Sequence, residues 1–233
     1  MPRTENSRSA SVALYLAAGA TLAIIQLASG SVFAATVTDP FGNAGSTGYV
    51  NKDPSDNSHW INWKNKATGA CSFTFLGNGG LSDNFNVEGS GGDDDLIVLS
   101  SSNNFSFCGF QMTGPNYNGH FLDLFGGDGG DGMFSDIGDT WLSGNAGDDR
   151  ITSGNAAASI FGGAGNDSIN NGAGGGSGGN TFGEDGNDCV NVNTLQTPAS
   201  MSCGAGTDTW FGPGTRPADC ESTSSACCPG FIC

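Results

Sequence analysis

Between Gly126 and Asn170 the chain carries one apolar residue every nine positions, at Met133, Leu142, Ile151, Ile160 and Ile169. The background is Gly, Asp, Asn, Ser and Ala, a mixture that ordinarily reads as linker or disorder. A strict apolar period argues against that reading. Every second nonapeptide also carries a glycine–aspartate loop, over residues 126–131, 144–149 and 162–167. The period extends with less regularity on both sides. Residues 89–97 fit it with Asp94 at position six and Leu96 at position eight; an insertion over 98–116 follows, and Phe121–Leu124 leads back in. Beyond Asn170 a glycine run and about three extra residues precede Gly183–Val190, and Cys203–Trp210 is the last unit.

Residues 35–88 have a different texture. They hold His59, Trp60 and Trp63, and Cys71–Phe75 alternates as a half-buried strand does. Phe105–Phe110 is a second run of this kind, and one cysteine on each invites a Cys71–Cys108 bridge. The region is expected to cap a repeat stack, whose terminal turn would otherwise expose an apolar face. Residues 212–233 show no period. Cys203 and Cys220 flank the last loop, and a bridge between them would tie this tail back onto the stack.

The N-terminus and the charge set the compartment. Arg3 and Arg8 precede an apolar run from Val12 to Leu27, and Val32-Phe33-Ala34 suits cleavage before Ala35. Residues 1–34 therefore read as a secretory signal peptide, since Gly, Thr and Gln interrupt the run too often for a membrane anchor. Their removal leaves 199 of 233 residues, with five of the seven basic and 22 of the 23 acidic side chains, a net charge of −17. Such a surface repels nucleic acid and anionic lipid and suits cations. All eight cysteines lie in the exported part, and an even count there reads as disulfides. The partners of Cys189, Cys227, Cys228 and Cys233 stay open, and no Cys/His spacing suggests zinc.

The nonapeptides resemble the RTX, or haemolysin-type, calcium-binding repeat, Gly-Gly-x-Gly-x-Asp-x-apolar-x. Residues 126–134 and 162–170 match at every specified position; 89–97, 144–152, 183–191 and 203–211 match with one or two changes at the paired glycines. The resemblance implies an all-β fold, a right-handed parallel β-roll (β-solenoid) with a small N-terminal β cap and a Cys-rich tail. The segments are then the signal peptide 1–34, the cap 35–88, the roll 89–211 with its regular core at 126–191, and the tail 212–233. Six residues of each unit turn and three form a strand whose middle side chain points inward. Two units make one circuit, so Met133, Ile151 and Ile169 stack in one column and Leu142 and Ile160 in the facing one.

The position-six aspartates fall in a column by the same logic. Carboxylates about 4.8 Å apart repel by roughly 1 kcal/mol in water and several at an effective dielectric near 20. A hard divalent cation with six or more oxygen ligands removes that penalty, and Ca²⁺ suits the task better than Mg²⁺, which keeps its waters. In the family, calcium lies between successive loops, held by Asp carboxylates and glycine-loop carbonyls. The resemblance therefore nominates Asp94, Gly126, Gly127, Gly129, Asp131, Gly144, Gly147, Asp149, Gly162, Gly163, Gly165, Asp167, Gly183, Gly186, Asp188 and Asp208. The alternate units depart from it: Ser135–Ser143 and Ser153–Phe161 place Thr140 and Ala158 at position six. One edge should then hold a ladder of three to five ions, centred on the 131/149 and 149/167 pairs, and the other little or none.

The expected protein is secreted, binds Ca²⁺, folds on doing so, and serves as a structural, surface or adhesion module, with a cell-surface polymer or protein as further partner. It has no membrane insertion of the mature chain and no nucleic-acid partner. Two other classes are a hydrolase or toxin-like fragment carrying a stabilising repeat module, and a binder of polysaccharide or ice through the loopless edge, where Trp141 faces outward. Catalysis has little to stand on. Gly175–Gly179 spells Gly-x-Ser-x-Gly without the strand and helix of a nucleophile elbow, and no HExxH is present. His59 and His120 read as cap or surface residues, and Trp60 and Trp63 as cap packing.

Overall fold

The computed structural model describes residues 35–55, 58–78, 85–99, 103–115, 122–138, 140–154, 158–172, 179–192, 200–212 and 215–223. The expected signal peptide, His120, residues 175–178, Cys227, Cys228 and Cys233 lie outside these residues. The protein is all-β, with no α-helix among the described residues and therefore no helix long and apolar enough to cross a membrane.

From the N-terminus, β1 (Ala35–Thr38) precedes three longer strands, β2 (Ser46–Lys52), β3 (Ser58–Asn65) and β4 (Cys71–Asn78). Then come β5 (Phe85–Gly91), β6 (Asp95–Val98) and a hairpin of β7 (Asn104–Phe107) and β8 (Phe110–Thr113). An alternation sets in with β9 (Leu122–Asp128), β10 (Gly132–Ser135), β11 (Thr140–Ala146) and β12 (Arg150–Ser153). It continues with β13 (Ala158–Ala164), β14 (Ser168–Asn171), β15 (Asn180–Asp185) and β16 (Cys189–Val192). The last strands are β17 (Ser200–Ser202), β18 (Thr209–Phe211) and β19 (Ser222–Thr223).

These strands form two sheets. The first runs β1-β5-β9-β11-β13-β15-β17, and the second β19-β18-β16-β14-β12-β10-β6-β2-β3-β4. Every pair in the first sheet is parallel, as is the second from β19 to β2. Apart from the β7–β8 hairpin, successive strands from β5 to β18 alternate between the sheets, so each pair makes one circuit. The nine-residue period is the length of one crossing. Met133 stands opposite Ile151, Ile151 opposite Ile169, and Ile169 opposite Val190. In the facing sheet Leu124, Leu142 and Ile160 share a column. Leu142, Ile151, Ile160 and Ile169 are fully buried, each worth about 1.5–3 kcal/mol of transfer free energy.

The first sheet has a second inward column. Phe85, Leu122, Thr140 and Ala158 stand opposite one another at position six, and all four are buried. Here position six is part of a strand facing the core, where a carboxylate would sit among apolar side chains. That is the physical reason the alternate units lack an aspartate.

The N-terminal end is closed by β2, β3 and β4, an antiparallel meander joined to the parallel stack through β2 and β6. Trp63 is fully buried at this end, and a Cβ at Gly48 would lie 2.7 Å from its ring. Trp60 meets Phe75 edge-on at 5.0 Å. The β7–β8 hairpin covers Tyr49 with Phe105 and Phe107, ring centroids 5.0 and 4.7 Å away, and the Cys71–Cys108 disulfide fastens it to β4. β1 and β5 are members of the parallel first sheet, so the boundary placed at residue 88 falls inside a strand of the stack.

Candidate metal centre

Each crossing from the first sheet to the second is made by a glycine–aspartate loop, and all these loops lie along one edge. At position four, Gly129, Gly147, Gly165 and Gly186 have φ of 131°, 132°, 143° and 140°, a region open to glycine. They also stack. A Cβ on Gly147 would strike the carbonyl oxygen of Gly129, and one on Gly165 that of Gly147. The position-three carbonyls accept N–H donors from the preceding circuit, as Ala164 does from Gly147 at 2.8 Å. The position-four carbonyls face the next circuit's glycine, which offers them only a Cα. At position two Gly127 and Gly163 also have positive φ, and Asn145 and Glu184 adopt the same region without being glycine.

The aspartates form a continuous column. The backbone N–H of Asp94 donates to Asp131 Oδ1 at 2.7 Å, that of Asp131 to Asp149 at 2.8 Å, and that of Asp149 to Asp167 at 2.8 Å. Asp167 donates in turn to Asp188 at 2.8 Å and Asp188 to Asp208 at 2.7 Å. Every one of these six side chains is at most 2 % exposed. Every Oδ2 is buried with no hydrogen-bond partner. In each complete circuit Oδ2 is pressed against the position-one glycine, where a Cβ on Gly89 would lie 2.6 Å from Asp94 Oδ2 and Cβ atoms on Gly126, Gly144, Gly162 and Gly183 closer still to their own aspartates. The carbonyl of the next circuit's position-one residue converges on the same point, Gly144 O at 2.7 Å for Gly126 and Gly183 O at 2.5 Å for Gly162. Carboxylate and carbonyl oxygens are thus gathered beside the glycine Cα with no N–H or O–H donor to Oδ2.

Burial drives these acids up. Asp149 is pushed to about 8, Asp94 and Asp167 to about 7, and Asp131 and Asp188 to about 6, and Asp208 is raised as well. Loss of water is the largest cause throughout; neighbouring carboxylates add to it, and the N–H bond each accepts opposes it. Lys66 also pulls Asp131 down. An unpaired buried carboxylate oxygen costs several kcal/mol, so the column needs either protons or cations. Among the described residues no three Asp, Glu, His or Cys side chains gather as a metal cage. A cation would therefore take two successive carboxylates and complete its shell from carbonyls, an all-oxygen set of the kind Ca²⁺ takes and unlike the nitrogen and sulfur of zinc sites. The residues fit calcium.

Three features escape a reading by period. Position five carries a second ladder of opposite sense: Gly130 N–H donates to Asp93, Asn166 to Asp148, Asn187 to Asn166 and Thr207 to Asn187. Asp39, following β1, is a further buried carboxylate with an unpartnered Oδ2, and its charge raises Asp94. Glu221 accepts the Asp208 N–H at 2.6 Å and extends the column into the tail. The Cys203–Cys220 disulfide is present, as its position flanking the last loop suggests.

No family model, curated protein or solved structure matches the chain.

The opposite edge is chemically different. Among its described residues no buried carboxylate appears. Asp139 lies outside the described residues. Trp141 points outward, 44 % exposed, and stacks on Phe161 at 4.2 Å and 15°, while Phe161 stacks on Phe182 at 5.1 Å and 23°. These rings turn faces toward one another. The row reinforces the sheet.

Proposed function

We propose that the chain is a secreted calcium-binding β-roll related to the RTX repeats, which folds on Ca²⁺ and acts as a structural, surface or adhesion module without catalytic activity. The observation that carries this reading is the recurrence of one buried, unpartnered carboxylate oxygen per circuit at Asp94, Asp131, Asp149, Asp167, Asp188 and Asp208. Six carboxylates make five intervals, which accommodates three to five ions. Successive Oδ2 atoms and the position-one and position-four carbonyls would hold them. Bound calcium supplies positive charge that lets these carboxylates ionise without mutual repulsion. In its absence the small apolar core has to offset chain entropy and carboxylate burial together. Two disulfides fit an oxidising, extracellular setting. Affinity on the order of 10⁻⁴–10⁻³ M matches extracellular calcium modules.

The test is circular dichroism of the mature protein during calcium titration and chelation. The reading expects β signal to appear with calcium and disappear with chelator. A spectrum indifferent to both would sink it.

A further inference from the structure

We propose that the tail supplies one more calcium site, formed by Asp208 and Glu221 and held in place by the Cys203–Cys220 disulfide; this rests on the calcium reading of the column. The tail has no period in sequence, yet it folds as one more partial circuit. β19 pairs parallel with β18, Ser222 opposite Thr209 and Thr223 opposite Trp210. Ser222 N–H donates to Asp208 O at 3.0 Å, as Thr209 does to Asp188 O and Ser168 to Asp149 O, both at 2.8 Å. Ser222 therefore occupies position seven, and Glu221 stands at position six. Its Oε2 takes the Asp208 N–H, the bond that each aspartate makes to the circuit before it.

Asp208, the last carboxylate of the column, provides the sign of a ligand. It is 0 % exposed, and its Oδ2 has no partner. The two ends of the column also differ. At the N-terminal end Ser46 N–H donates to Asp94 at 2.5 Å, and the Lys66 ammonium reaches Asp93 O and Asp95 Oδ2 at 2.5 and 3.0 Å, so a fixed cation already stands there. At the C-terminal end no basic side chain among the described residues pairs with Asp208 or Glu221. Asp219 is already committed, accepting Ser202 Oγ–H and Gly204 N–H. Among the described residues two carboxylates without a paired cation remain, one buried and one at the surface.

The disulfide explains why this works without a full repeat. Position one of the last circuit is Cys203, where the earlier circuits have glycine. Its side chain bonds Cys220, the residue before Glu221, with Cα atoms 5.2 Å apart. A covalent link replaces the missing glycine loop as the means of setting Glu221 in register.

The experiment counts calcium ions on the intact, oxidised protein by native mass spectrometry, for wild type, Glu221→Gln and Asp149→Asn. Glutamine keeps the acceptor for Asp208 N–H and removes the charge, so the stack should stay folded. The expected result is one ion fewer for Glu221→Gln, with the remaining ions titrating as in wild type, and a larger loss for Asp149→Asn, which faces two intervals. The same count in wild type and Glu221→Gln overturns the proposal. Hydrogen exchange at Glu221 and Ser222 that calcium leaves unchanged in wild type also overturns it. A wild type that binds no calcium instead removes the underlying reading of the column.

Discussion

Replacing Asp149 by Asn separates calcium from packing because its effect changes sign with calcium. Asp149 Oδ1 accepts the Asp131 N–H at 2.8 Å, which an amide oxygen can still do, and the side chain is 2 % exposed. Without metal the folded protein holds a proton on this group up to about pH 8, whereas in the unfolded chain it ionises near 3.8. Each pH decade in that window costs folding about 1.4 kcal/mol. At pH 6 the window spans roughly two decades, so Asp149→Asn should stabilise the calcium-free protein by about 3 kcal/mol, and by almost nothing at pH 4. With calcium the sign reverses, because Asp149 borders two intervals. Each of the two lost sites forfeits about 2.7 kcal/mol at a free calcium a hundredfold above its dissociation constant, together more than the roughly 3 kcal/mol gained without metal. Urea unfolding followed by circular dichroism, with chelator and with calcium, reads both arms. Equal destabilisation in the two conditions would show that Asp149 is a packing residue and refute the reasoning.

The wild type should show a matching pH profile. The calcium-free fold is most stable below about pH 4, since raised acids bind more protons folded than unfolded, and it weakens as pH climbs from 4 towards 8, most steeply between 4 and 6, where Asp131, Asp188, Asp94, Asp167 and Asp149 all contribute; a calcium-free urea midpoint that rises over this range contradicts it. Ile160→Ala, at a fully buried core position, should cost about 2–5 kcal/mol in the calcium-bound protein while leaving the number of bound ions unchanged, checked by unfolding and ion counting. Gly147→Ala would drive its Cβ onto Gly129 O at a φ of 132°, so neighbouring circuits should separate and calcium should no longer restore the wild-type dichroism. Glu184, at a φ of 78°, sits where the repeat has glycine; Glu184→Gly should raise thermal stability in calcium by relieving strain of about 1 kcal/mol, and a lower melting temperature would count against this.

The stack was legible because its inward residue recurs at a fixed interval. Met133, Ile151 and Ile169 are opposite one another for the reason the nine-residue period suggests, and the unlike edges follow from Thr140 and Ala158. The second inward column was also written in the chain, as Phe85-x-Val87 and Leu122-x-Leu124, a strand period of two overlaid on the period of nine. The position-five ladder is harder to see. Its acceptors are Asp93, Asp148, Asn166 and Asn187, and its donors are backbone N–H groups that Gly130 and Thr207 supply equally well. Such a pattern constrains only every acceptor and leaves no strict motif. Asp39 and Glu221 lie where the repeat gives way to its ends, and there register is set by β1 and by a disulfide rather than by spacing. The boundary at residue 88 falls within β5, which starts before the first recognisable nonapeptide.

The central claim is that the buried aspartate column exists in its ionised form because calcium occupies it. Its most direct test is the number of calcium ions carried by the intact protein at neutral pH, counted by native mass spectrometry across a calcium titration with dichroism read on the same samples. Three to five ions from the aspartate column, plus one at the tail, should bind over the concentration range in which the β signal forms. A folded protein that carries none would contradict it.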